Sequence, residues 1–421
     1  MASVKLNPSP PAAEWPLTGL DLAALEAGGW RPLPFNEFVV KLHSRCNLAC
    51  DYCYIYEMAD QSWHGQPTFM AEDTMATIVE RIGEHAEQHR LKRVVVILHG
   101  GEPLLAGLER TEFFVGTLRS RLAGITPLTL LVQTNGVLLD QAYLEMFARN
   151  RVYVSVSLDG GREENDRHRR YRNGRGSFDD VSRGLGLLGS NRYRSLFAGM
   201  LCTVDVKNDP IRTYETLAEF APPRIDFLLP HANWSAPPAS YPGSATPHAD
   251  WLLTIFDHWY GPDGGRVKVR LFEDLIALIL GGHGGSEAMG TAPARMAVFE
   301  TNGDLEQVDS LKSAFPGAAQ LGFNVRDHAL DLALRHPAIA ARQIGMDALS
   351  DTCLDCSLRQ ICGGGQFTHR YREGTGFRNP SVYCADLQKL IETVYRKISS
   401  DLTAVKERAT HATVRPAKDH R

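Results

Sequence analysis

Short apolar runs recur along the chain at Phe35–Leu42, Val94–His99, Leu128–Gln133, Val152–Leu158, Ser195–Val204 and Ile225–Leu229. Bounded by turn-forming and charged residues, such runs predict buried strands. Between them the apolar positions recur every three to four residues, at Ala71–Gln88, Glu112–Leu122, Gln141–Arg149, Phe178–Leu188 and Arg212–Phe220. That spacing predicts amphipathic helices. Strand and helix in alternation predict a parallel sheet with right-handed crossovers. Six such units are too few for an eight-unit barrel, so the expected fold is α/β, a partial (β/α)6 TIM-like barrel. Active sites of such sheets lie beyond the carboxyl ends of the strands. The segments placed there are Cys46–Cys53, Gly100–Pro103, Gln133–Gly136 and Ser157–Gly160.

The rest of the chain divides around this barrel. Residues 1–34 form a lead-in with a helical patch at Leu20–Ala27, ended by Gly28 and Gly29. The barrel spans 35–230, and a stretch rich in Pro, Ser and Ala from His231 to Pro247 marks its end. A bridging region, 231–345, follows with helical patterns at Ala249–Tyr260 and Leu271–Leu280. It also carries a hairpin signal, Ala297–Glu300 and Leu305–Val308 flanking Thr301–Asp304. A cysteine-rich segment within 346–390 leads to a helix from Asp386 to Lys406, and a polar tail completes residues 391–421.

Composition narrows the class. An apolar fraction of 43% excludes a largely disordered chain. The 45 basic and 49 acidic residues leave a net charge of −4, which gives no electrostatic ground for a nucleic-acid partner. No apolar run reaches the ~18 residues of a membrane span, and the polar N-terminus lacks a signal-peptide core, so a cytoplasmic protein with no membrane partner is expected. The cysteines are the telling residues: Cys46, Cys50 and Cys53, then Cys202 alone, then Cys353, Cys356, Cys362 and Cys384. In a reducing compartment such clustering predicts metal ligation. A group of three and a group of four predict two sites of different kinds, with Cys202 a small core residue.

Three thiolates on one loop, spaced C-x3-C-x2-C, can hold three irons of a cubane that four cysteines normally hold. The fourth iron is then open to a small molecule. Zinc with a distant fourth ligand is the alternative, although zinc loops usually carry C-x2-C pairs. The triplet, with Tyr52 just before its third cysteine, resembles the radical S-adenosylmethionine (SAM) superfamily. That resemblance implies a 4Fe–4S cluster whose open iron takes SAM and splits it to a 5′-deoxyadenosyl radical. It implies that Gly100-Gly101-Glu102-Pro103 is the loop that binds the SAM amino group, and that Ser157 and Arg169 contact the ribose and the carboxylate. Asn135 and Gln133 line the site or cap a helix. The remaining arginines of Gly161–Gly176 are expected in a solvated charged loop.

The quartet suits a closed 4Fe–4S site, with structural zinc as the alternative. It resembles the SPASM domain of peptide-modifying radical SAM enzymes. The full pattern of that domain has seven cysteines and two auxiliary clusters. Here Gln366 replaces one ligand and the region 297–309 lacks an upstream pair, so one auxiliary cluster is expected. The stretches Cys50–Trp63, Glu300–Lys312, Cys362–Arg372 and Phe377–Leu387 resemble FxsB-type maturases. The resemblance implies that a ribosomally made precursor peptide is crosslinked into a three-residue cyclophane, an aromatic ring carbon joined to the β-carbon two residues later. A reductant such as flavodoxin or ferredoxin is the implied second partner. Asp309, Asp226 and Glu300 are candidate bases. The lead-in looks too short for a separate leader-binding domain, which leaves a sheet edge or Asn233–Pro247 for peptide recognition. Two rivals stand beside this reading: a sulfatase-maturating enzyme that makes formylglycine from Cys or Ser, and an inert iron–sulfur scaffold that binds peptide or carries electrons.

Overall fold

The six predicted strands form and lie parallel: β1 (Glu37–His43), β2 (Val94–Gly100), β3 (Leu128–Thr134), β4 (Val152–Ser157), β5 (Phe197–Thr203) and β6 (Arg224–Leu228). In this computed structural model residues 14–261 and 264–413 are described. The polar N-terminal stretch and the end of the polar tail, residues 1–13 and 414–421, lie outside the described residues. β1 and β2 are buried at nearly every residue, whereas β3, β4 and β5 alternate, turning Gln133, Ser157, Leu201 and Thr203 toward the cleft. In β1 six of seven residues are buried, and one of those six is Lys41.

The helices follow from their local chemistry. Glu72–Gln88 turns Met75, Ile78, Val79, Ile82 and Ala86 inward at helical spacing. Asp140 caps Gln141–Asn150 by accepting from the Tyr143 amide. Asp209 caps the next example, and Pro210 at its first position starts the helix Pro210–Glu219 two residues before the apolar period shows.

Four strands extend the sheet beyond the six. β7 (Lys268–Val269) flanks β6. On the other side, β8 (Met296–Phe299) pairs parallel with β1, and β9 (Asp304–Glu306) and β10 (Gln320–Asn324) add antiparallel to it. The order is β10-β9-β8-β1-β2-β3-β4-β5-β6-β7. The expected hairpin is therefore β8–β9, and its parallel docking on β1 was not visible in the sequence. The long final helix, Cys384–Thr413, packs along Pro247–Trp259, with Lys397 2.6 Å from Asp257.

The arginine-rich run 161–176 is not wholly a solvated loop. Arg162–His168 is helical, Arg167 reaches Asp205 and Asn208, and His168 bridges Asp51 and Asp205. Among the described residues no helix is long and apolar enough to cross a membrane.

Candidate active site

The loop after β1 carries Cys46, Cys50 and Cys53 into a cleft of about 180 Å³ at the carboxyl ends of the strands. The Gly100-Gly101 turn after β2 packs directly on this loop. Gly101 donates to the His43 carbonyl at 2.9 Å and Glu102 to the Arg45 carbonyl at 3.0 Å. A Cβ on Gly100, at φ +134°, would stand 2.2 Å from the His43 oxygen, and one on Gly101 would stand 1.9 Å from the Tyr56 hydroxyl. Only glycine permits that approach. Glu102 is fully buried behind the wall, where its carboxylate accepts from Leu104, Thr134 and the Asn135 amide. It fastens the β2 and β3 loops together. Glu102 and Pro103 thus do not line the cleft, whereas Gly100 and Gly101 do.

The other predicted contacts converge on the same space. Gln133 Nε2 donates to Ser157 Oγ at 2.9 Å, and Asn135 Nδ2 donates to Asn47 at 2.7 Å and approaches Cys46 Sγ at 3.7 Å. Arg169, at the end of the helix Arg162–His168, donates to the Tyr52 hydroxyl at 2.8 Å. Tyr52 in turn donates to Asp159, which also accepts from the Thr203 amide. Buried Arg169 keeps its Nε without a partner, a free donor in a water-poor wall. Such a guanidinium suits a carboxylate.

Below the cleft lies a buried cluster of five charges. Lys41 Nζ is 2.5 Å from both Glu300 and Asp309, and Lys312 Nζ is 3.0 Å from Glu300 and 2.8 Å from Glu306. A lone buried cation costs several kcal/mol, which explains why a lysine inside β1 comes with carboxylates. Three acids against two lysines leave one unbalanced negative charge. Burial pushes Glu306 up to about 7; burial also works against ionised Glu300, yet Lys41 and Lys312 hold it down to about 2. Glu306 is thus the acid of the cluster readiest to hold a proton. The cluster touches the cleft through His99, opposite Lys41 in the β1–β2 register, and through Tyr54, both under the influence of Asp309. None of the three candidate bases lines the cleft: Glu300 and Asp309 sit in this buried cluster, and Asp226 is elsewhere, paired with Arg270 at 3.3 Å. Lys41, Lys312, Glu306, His99 and Tyr54 escaped the sequence reading as site residues. The one available signal was a lysine within a buried apolar run.

The comparisons with known proteins agree with this geometry. The radical SAM superfamily profile matches residues 40–220, from β1 through the helix Pro210–Glu219. Residues 40–220 thus form a radical SAM domain. A cysteine-type anaerobic sulfatase-maturating enzyme of Clostridium novyi (strain NT) is 25% identical over 372 residues, covering 85% of this chain and 94% of the relative. Native anSMEcpe with bound AdoMet and Cp18Cys peptide superposes at a TM-score of 0.75 and 23% identity, covering 88% of this chain and 99% of that one. Streptococcus suis SuiB bound to precursor peptide SuiA superposes at 0.59 and 14% identity, covering 86% and 78%. At these identities the two superpositions speak for the fold.

Beyond the radical SAM domain the second cysteine group is built on short turns. Ser350 caps Asp351–Leu354, which carries Cys353; Cys362 ends Arg359–Cys362; and Cys384 opens the final helix. Cys362 feels the charges of Cys384 and Cys353, and Cys384 those of Cys353 and Cys356, so the four thiols face one locus. Around Gln366 and Val308 the space is filled with apolar side chains. Phe367 stacks on Phe377 at 4.6 Å and meets Trp15 at 6.3 Å, beside Leu311 and Ala341. That region offers packing, not ligands.

Radical SAM enzymes bind a 4Fe–4S cluster and SAM, and the donor chemistry here fits. Burial pushes the Cys46 thiol up to about 12 and the Cys50 thiol up to about 11, so they remain protonated until a metal displaces the protons. Among the described residues no three thiols lie within 4.8 Å of one another. A single tetrahedral zinc, with Zn–S bonds of about 2.3 Å, would draw them closer, whereas a cubane takes each thiolate at a separate iron. The trio could hold a SAM-binding cluster, and the quartet could hold an auxiliary one.

Proposed function

We propose that this enzyme oxidises the β-carbon of a side chain in a bound peptide, removing in total two hydrogens as a hydrogen atom, a proton and an electron. The observation that carries this reading is the match to a sulfatase-maturating relative over 94% of that protein's length. Two structural neighbours that hold a bound peptide support it. When bound, the trio's cluster and SAM supply a 5′-deoxyadenosyl radical that takes the hydrogen atom. The chain's own residues do the rest. Gly100 and Gly101 let the SAM amino group approach backbone, Ser157 with Gln133 faces the ribose, and Arg169 offers its free Nε to the carboxylate. Asp309, held by Lys41 behind His99 and Tyr54, is the proton's destination, in a cluster of three acids against two lysines. The quartet's centre is the electron's destination.

Two products share these steps. In the first, the oxidised side chain is a Cys or Ser and becomes formylglycine, with water replacing sulfur in the cysteine case. The comparisons support this product. In the second, the carbon radical adds to an aromatic ring two residues earlier, giving a cyclophane. The FxsB-like stretches and the apolar filling around Gln366 and Val308 favour it.

The test uses anaerobically reconstituted enzyme, SAM, a flavodoxin or ferredoxin reductant, and two peptide sets. One set carries an internal Cys or Ser, and the other an aromatic residue two positions before a residue with β-hydrogens. A SAM-dependent aldehyde at Cys or Ser establishes formylglycine. Loss of two hydrogens together with blocked fragmentation between two residues establishes the crosslink. SAM cleavage with every peptide unchanged would refute peptide oxidation.

A further inference from the structure

Arg370 is a buried cation without a carboxylate of its own. It is 7% exposed, and among the described residues it forms no ion pair. Glu287, the one carboxylate whose charge acts on it, is engaged by Arg342. The guanidinium instead donates to three successive carbonyls: Nε to Gly364 at 3.1 Å, and Nη2 to Gly363 at 2.5 Å and Gly365 at 2.7 Å. These glycines directly follow Cys362 and all adopt left-handed backbone, at φ +59°, +77° and +68°. That run of conformations, open only to glycine at low cost, curls the carbonyls around the guanidinium. A Cβ on Gly364 would stand 3.0 Å from Arg370 Cζ, so the wrap is tight. Phe367 closes the site, its ring centroid 5.6 Å from the guanidinium carbon.

Carbonyl dipoles solvate a buried charge but do not neutralise it, and an uncompensated one costs several kcal/mol. The other charges acting on Arg370 are those of Cys353 and Cys362, two members of the quartet. We infer that Arg370 is the counter-ion of the auxiliary centre, fixed by the Gly363–Gly365 wrap so that its charge raises that centre's reduction potential. Net charge and hydrogen bonding near the sulfurs set the potentials of such centres. A fixed cation favours the reduced, more negative form. The centre thereby becomes a better acceptor for the single electron that leaves the substrate. The inference rests on the reading of the quartet as a cluster site, and not on which peptide product forms.

The test removes the other cluster and reads the potential directly. In a Cys46→Ala/Cys50→Ala/Cys53→Ala background, the auxiliary centre is titrated by electron paramagnetic resonance, with Arg370 intact, Arg370→Met and Arg370→Lys. The expected result is a shift to more negative potential for Arg370→Met and a value near the parent for Arg370→Lys. If Arg370→Met takes up no iron while Arg370→Lys keeps the parent's content and potential, the charge is again the cause. An unchanged potential in Arg370→Met, or equal shifts in both variants, overturns the counter-ion assignment. Absence of any iron–sulfur signal with Arg370 intact overturns the cluster reading of the quartet and the inference together.

Discussion

The two cysteine groups solve different problems with the same ligand. The trio sits on one loop at the mouth of the parallel sheet, beside free or half-engaged donors: Arg169 Nε, Ser157, and the Gly100-Gly101 backbone. The quartet is gathered from two short turns and the start of a helix, backed by a buried arginine and three glycines instead of a cleft. Three ligands beside a polar cradle make a site that reacts. On the proposed reading, four ligands beside a fixed charge make a site that exchanges electrons. The contrast lies as much in the surroundings as in the count of thiols.

Substitutions sharpen that contrast. Replacing Cys46, Cys50 and Cys53 together with Ala is expected to abolish 5′-deoxyadenosine formation while leaving the iron of the quartet in place; turnover by that variant would erase the distinction. Cys356→Ala should do the reverse, sparing SAM cleavage more than peptide product, as read by the ratio of 5′-deoxyadenosine to modified peptide. Equal loss of both would make the quartet merely structural. Asp309→Asn should slow product formation by about 10²-fold or more, the usual contribution of a positioned base, with SAM cleavage retained. Arg169→Ala removes a charged hydrogen bond of about 1.5–3 kcal/mol, so SAM binding by calorimetry should weaken about 10- to 100-fold. The smallest effect belongs to Cys202, which is buried in β5 and part of neither group. Cys202→Ala should cost about 1 kcal/mol in denaturant unfolding and leave both iron contents unchanged.

Much of this was legible in the chain itself. Apolar runs located β1 to β6 to within two residues at each end, because each strand keeps a row of buried apolar positions even where the other face is polar. The short parallel strand β7 did not stand out, and β8 showed only as one arm of a hairpin. The C-x3-C-x2-C loop and Gly100-Gly101 were legible because their chemistry demands residues that few other sites need. The antiparallel extension was only half visible. The β8–β9 turn carries Asn302 and Gly303, but nothing local specifies that Met296–Phe299 should dock beside β1. The buried charges were the hardest to see. Lys41 and Asp309 are 268 positions apart, and their pairing exists only once β8 has docked. Glu102 misled in the opposite way: its motif position implied a ligand contact, whereas its carboxylate serves the Leu104, Thr134 and Asn135 donors around it.

The most direct measurement supplies anaerobically reconstituted enzyme with dithionite and SAM, quantifies 5′-deoxyadenosine, and assays the metal held by the trio. Iron and sulfide at Cys46, Cys50 and Cys53, with 5′-deoxyadenosine formed in step with methionine, is the expected result. Zinc at those three thiols, or intact SAM after reduction, would contradict the account at its root.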